Sequence, residues 1–87
     1  MNMDRAIFDL KASVEATSLY IILCSLLDRG DAPTLANART LWSGTAEGLT
    51  AALRELMALG VLAHFGDPSE TDHLHPTPRT QWRRPPA

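Results

Sequence analysis

The chain is short of aromatic residues, of cysteine and of unbroken apolar stretches. Aromatic side chains make up 6% of its residues, so a hydrophobic interior must be built mostly from Leu, Ala, Ile and Val. A single cysteine, Cys24, excludes an internal disulfide and fits a reducing compartment. The longest apolar run, residues 19–27, is interrupted by Ser25. It falls far short of the roughly 20 residues needed to cross a bilayer. The start, Met1-Asn2-Met3-Asp4-Arg5, lacks a basic region followed by an apolar stretch and a small-residue cleavage site. The expectation is a cytoplasmic protein without a membrane partner. Paired carboxylates, a phosphate-cradling glycine loop and a Ser-His-Asp arrangement are also missing, so neither an enzyme nor a cofactor is expected.

What is present bounds the fold. A chain of 87 residues is one domain or less, against a usual size of roughly 100–200 residues per domain. Such a chain buries about 60–65% of its unfolded surface. That argues against a large enclosed active site, though not against a binding surface. With 45% hydrophobic and 21% charged residues the composition is globular. The formal net charge of −2 gives no general pull toward nucleic acid, but its distribution is uneven. Residues 45–75 set Arg54 against Glu47, Glu55, Asp67, Glu70 and Asp72. Residues 76–87 carry Arg79, Arg83 and Arg84 and no acid.

Apolar periodicity predicts three helices. Leu19, Ile22, Leu23, Leu26 and Leu27 share one helix face, and Tyr20, Ile21 and Cys24 extend it nearly all round, which suits a central buried helix. Asp4 is a candidate cap for a helix over residues 4–27, and Gly30 a candidate stop. Ile7, Leu10 and Val14 form a second stripe, turned by more than 90° from the first. Either the helix is straight and exposes that stripe, or it breaks near Thr17 or Ser18. After the turn at Pro33, Thr34 can cap a short helix over residues 35–42, with Leu35, Ala38, Leu41 and Trp42 inward. Thr45 can cap a third, over residues 46–59, carried by Leu49, Ala52, Leu53, Leu56 and Leu59 and ended by Gly60. Residues 61–65 then read as a strand and His73-Leu74-His75 as its short return, limited by Pro76 and Pro78.

This order, with the run Leu53-Arg54-Glu55-Leu56-Met57-Ala58-Leu59-Gly60-Val61-Leu62 at the junction of the third helix and first strand, resembles the winged helix-turn-helix superfamily over about residues 17–84. The expected fold is therefore α+β and mostly helical: an N-terminal helical extension over residues 1–16, a winged-helix domain over 17–78 with a β-hairpin wing, and a basic, proline-rich tail over 79–87. The resemblance implies a DNA-binding regulator of double-stranded DNA, with the third helix over base edges. It directs Thr45, Glu47, Gly48, Thr50, Ala51 and Arg54 toward the duplex, with Arg39 near the backbone. The sequence departs from that pattern in one respect. Arg54 is the third helix's only basic residue, while Lys and Arg supply most non-specific affinity for phosphate. The alternative is a module that binds a protein partner through the same scaffold.

Other candidates complete the reading. Arg79, Arg83 and Arg84 with Trp82 could clamp a phosphate backbone or stack on a base, or form a solvated tail. Trp82 matches no core pattern and so reads as a contact residue. Ile7, Phe8, Leu10 and Val14 read as the seam of a homodimer, with an intramolecular lid as the alternative. His64, His73 and His75 could meet across the hairpin, but without a cysteine partner or a ligand motif no metal is expected. Cys24, set among Leu23, Ser25 and Leu26, reads as a core thiol.

Overall fold

The computed structural model describes residues 4–63 and 68–83. Its elements are a 3-10 turn at Arg5–Phe8, then α1 (Val14–Asp28), α2 (Leu35–Leu41) and α3 (Ala46–Ala58), and a second 3-10 turn at Arg79–Gln81.

The first segment does break, but upstream of the expected point. Asp4 caps only the 3-10 turn, accepting the Ala6 N–H at 2.9 Å. Lys11 then takes φ 58°, a left-handed conformation that no helix continues through. Ser13, rather than Thr17 or Ser18, caps α1 by accepting the Ala16 N–H at 3.1 Å. The remaining stops and starts fall where the sequence places them. Gly30 ends α1 at φ 79°, while the Gly30 and Asp31 N–H groups close on the Leu27 and Leu26 carbonyls. Thr34 caps α2 and Thr45 caps α3, each accepting the N–H three residues on. Gly60, at φ 76°, ends α3.

Helix α1 packs against both α2 and α3. Leu19, Leu23 and Leu26 share one buried cluster with Leu49, Leu53 and Leu56, and each such leucine contributes about 1.5–3 kcal/mol relative to exposure. On α2 only Leu35 and Ala38 are buried; Leu41, expected inward, is 41% exposed. A helix of 7 residues, about two turns, is too short to bury both ends of the stripe.

The winged α+β expectation is not met. Among the described residues there are three α-helices and no strand, hence no β-hairpin wing. Two isolated antiparallel bridges, Thr34 with His73 and Leu62 with Pro76, are all that forms. The amides explain why. The N–H groups of Val61 and Leu62 both turn back to the Leu56 carbonyl, at 2.9 and 3.3 Å, so they close the helix end instead of starting a ladder. Opposite Leu62 stands Pro76, which has no N–H to donate. His73 pairs with Thr34 at the entry to α2. His64 and Phe65 lie outside the described residues.

The N-terminal stripe is also reassigned. Ile7 is 0% and Leu10 6% exposed, so both are core residues and cannot line a dimer seam. They form the lid that was the alternative. Phe8 and Val14 remain outside, 55% and 78% exposed. The chain beyond Pro76 is not a loose tail as far as Arg83. Trp82 is half-buried and its ring meets Tyr20 edge-on at 5.5 Å. Its Nε1–H donates to the Thr77 carbonyl at 3.0 Å. The Thr77 hydroxyl donates to the Gly60 carbonyl, and the Arg83 N–H donates to the Leu59 carbonyl at 2.6 Å. Among the described residues no helix is long and apolar enough to cross a membrane.

Candidate functional site

The outward face of α3 follows directly from its inward one. Leu49, Ala52, Leu53 and Leu56 are buried, which leaves Ala46, Glu47, Thr50, Ala51 and Arg54 exposed on the opposite side. These five residues line a shallow depression of about 380 Å³. Its floor is made of small side chains, and its charge is one carboxylate and one guanidinium. The hydroxyls are occupied by the helix itself. Thr45 accepts the Gly48 N–H at 3.0 Å, and Thr50 donates to the Ala46 carbonyl at 3.2 Å. At the entrance to α3 the half-buried Trp42 donates through Nε1 to the Thr45 carbonyl at 2.9 Å. Its indole lies close over Gly44, where a Cβ would come within 3.0 Å of Nε1. Leu41 adds exposed apolar surface beside it.

The arginines predicted to join this face do not gather on it. Arg39 makes a two-point ion pair with Glu70, Nε to Oε1 at 2.6 Å and the second nitrogen to Oε2 at 3.0 Å. That hydrogen bonding holds the Glu70 carboxyl below its usual range and raises Arg39. Arg79 lies 3.9 Å from Asp4, on the side of the molecule where the first and last segments meet. Arg83 is exposed at the C-terminal arm, and Arg84 lies outside the described residues. Trp82, expected to be a contact residue, is held by Tyr20 and Thr77 as described above.

A second cleft of about 330 Å³ opens beside Tyr20, between Asp4, Cys24, Leu27, Pro76, Thr77, Pro78 and Arg79. The Tyr20 oxygen accepts the Asp4 N–H at 2.9 Å, and burial pushes the phenol up to about 12. Burial likewise raises the Cys24 thiol, which is 2% exposed. This matches the reading of Cys24 as a core residue.

Sequence reasoning missed four tertiary links. They are Glu55, which accepts the Ser13 N–H at 2.6 Å across 42 positions, Glu70 on Arg39, Thr77 on Gly60, and Tyr20 against Trp82. None has a local signal, because each joins residues far apart in the chain. Comparison with protein-family models, curated proteins and solved structures returns no match.

Proposed function

We propose that this protein is an interaction module that grips a protein partner through the outward face of α3, extended by Leu41 and Trp42. One observation carries the reading. The depression on this face is lined by one guanidinium, Arg54, and one carboxylate, Glu47, while Arg39 is held elsewhere by Glu70 through two hydrogen bonds. A surface of balanced charge, with exposed Leu41 and half-buried Trp42 at the entrance to the helix, suits contact with another protein, whose interfaces favour aromatic and Arg side chains and few charges. It lacks the cluster of cations that phosphate backbones require. The second reading, double-stranded DNA, draws support from the exposure of Thr45, Thr50, Ala51 and Arg54 on one helix, since Thr and Ala side chains can contact thymine methyl groups.

Two measurements separate the readings. In a low-salt mobility-shift assay with a pool of random duplexes, the protein-partner reading expects no retained DNA. Retention that disappears in an Arg54→Ala, Arg83→Ala double variant overturns it in favour of DNA. Affinity capture then compares the natural chain with Ala51→Glu, which places a charge on the exposed face without touching the core. The expected result is a partner that re-binds as a purified protein and is lost with Ala51→Glu.

A further inference from the structure

We propose that His73 and His75 form a chelating pair on the surface for a divalent transition-metal ion, Cu²⁺ above all. The backbone between them is anchored from behind. His73 is bridged to Thr34, and the Leu74 N–H donates to the Pro33 carbonyl at 2.8 Å. Leu74 is 2% exposed, whereas His73 and His75 are both exposed. The buried residue between them thus turns both imidazoles to the same outer side. Their ring centroids are 5.7 Å apart with the planes tilted by 37°. Two imidazoles each bonded at roughly 2.0–2.1 Å to one ion need about this separation, within a small side-chain rotation.

Neutral imidazole nitrogen suits Cu²⁺, Ni²⁺ and Zn²⁺, with Cu²⁺ favoured in the general affinity order, and it suits Mg²⁺ and Ca²⁺ poorly. Among the described residues no third His, Cys, Asp or Glu completes a cluster, so water fills the other positions. The acids nearest in sequence are engaged. Glu70 holds Arg39, and Asp72 accepts the Ser69 N–H at 2.8 Å. The pair sits on the segment that ties residues 69–74 to the start of α2, where the Ala36 N–H also donates to the Glu70 carbonyl at 3.1 Å. A bound ion that prefers this anchored arrangement favours the folded state by mass action.

Titrate the full chain with Cu²⁺ in a calorimeter and record the electron paramagnetic resonance spectrum of the complex. One equivalent is expected, with coupling to two imidazole nitrogens and a thermal midpoint that rises with Cu²⁺ and falls back with a chelator. His73→Gln and His75→Gln should each weaken binding roughly tenfold or more, since even groups supporting a ligand carry that much. Both positions are exposed, so helical circular dichroism should be unchanged and loss of binding is not loss of fold. His64→Gln should leave the affinity alone. Undiminished binding in the His73/His75 double variant, or an equal loss with His64→Gln, overturns the site.

Discussion

The chain before Gly60 and the chain after it follow different rules. In the first region local signals decide the outcome. Thr34, Thr45, Gly30 and Gly60 bound the helices where their chemistry allows, and apolar residues at helical spacing turn inward. In the second region no regular element longer than a 3-10 turn forms among the described residues. Residues 68–83 are placed instead by single contacts: a bridge at His73, a buried Leu74, the Thr77 hydroxyl, the Trp82 ring and the Arg83 amide. The difference teaches that a helix carries its own hydrogen bonds, whereas a segment punctuated by prolines must borrow partners from whatever surface it meets.

The largest test of this contrast lies in the helical frame. Leu56→Ala, at a position 0% exposed, should cost about 2–5 kcal/mol in denaturant unfolding. A loss under 1 kcal/mol would show that α3 does not anchor the core. Next come two glycines of nearly equal backbone angle. Gly30→Ala meets open space, while a Cβ at Gly60 would lie 2.5 Å from the Gln81 carbonyl oxygen. The first should cost roughly 1–2 kcal/mol for its left-handed backbone alone. The second should cost clearly more, and should expose Trp82, read as a red shift of its fluorescence. Equal costs would mean that the C-terminal arm contributes nothing at Gly60.

Alkali sharpens the same comparison. The sequence has one tyrosine, and burial lifts its phenol to about 12 in the folded chain, against about 10 when unfolded. The raised value makes Tyr20's contribution complete below about pH 10 and lost as pH climbs through the folded value. Tyrosinate absorbance should therefore rise late and together with loss of the Trp82 contact; ionisation near 10 in the intact fold would contradict the docked arm. The smallest effect is expected at Glu70. Its lowered carboxyl, caused first by the hydrogen bond from Arg39, contributes above the ordinary glutamate range and ceases as pH falls through the folded value. Both groups are exposed, so the difference between the natural chain and Glu70→Gln in acid unfolding should be slight and should vanish in high salt.

The candidate surface was partly legible in advance. Thr50, Ala51 and Arg54 fall on the outer side of α3 because Leu49, Leu53 and Leu56 claim the inner side, and 3.6-residue periodicity carries that information locally. The pairing of Arg39 was not legible, since Glu70 lies 31 positions away and no spacing rule joins them. Ile7 and Leu10 show the same limit. Their stripe was visible, but whether it faced a second copy or the chain's own core depended on the turn that Lys11 makes.

By itself, then, the order of residues determined that there are three helices, the caps Thr34 and Thr45, the stops at Gly30 and Gly60, and the apolar side of α3. These are properties of stretches shorter than twenty residues, written in side-chain spacing and in the backbone freedom of single glycines. Only the tertiary structure decided that the described residues form no wing hairpin, that Trp82 rests on Tyr20, that Arg39 is tied to Glu70, and that His73 and His75 share one exposed side. Each of those outcomes turns on which groups the fold brings within reach of an unsatisfied donor or a ring, and closeness in space is not encoded in distance along the chain.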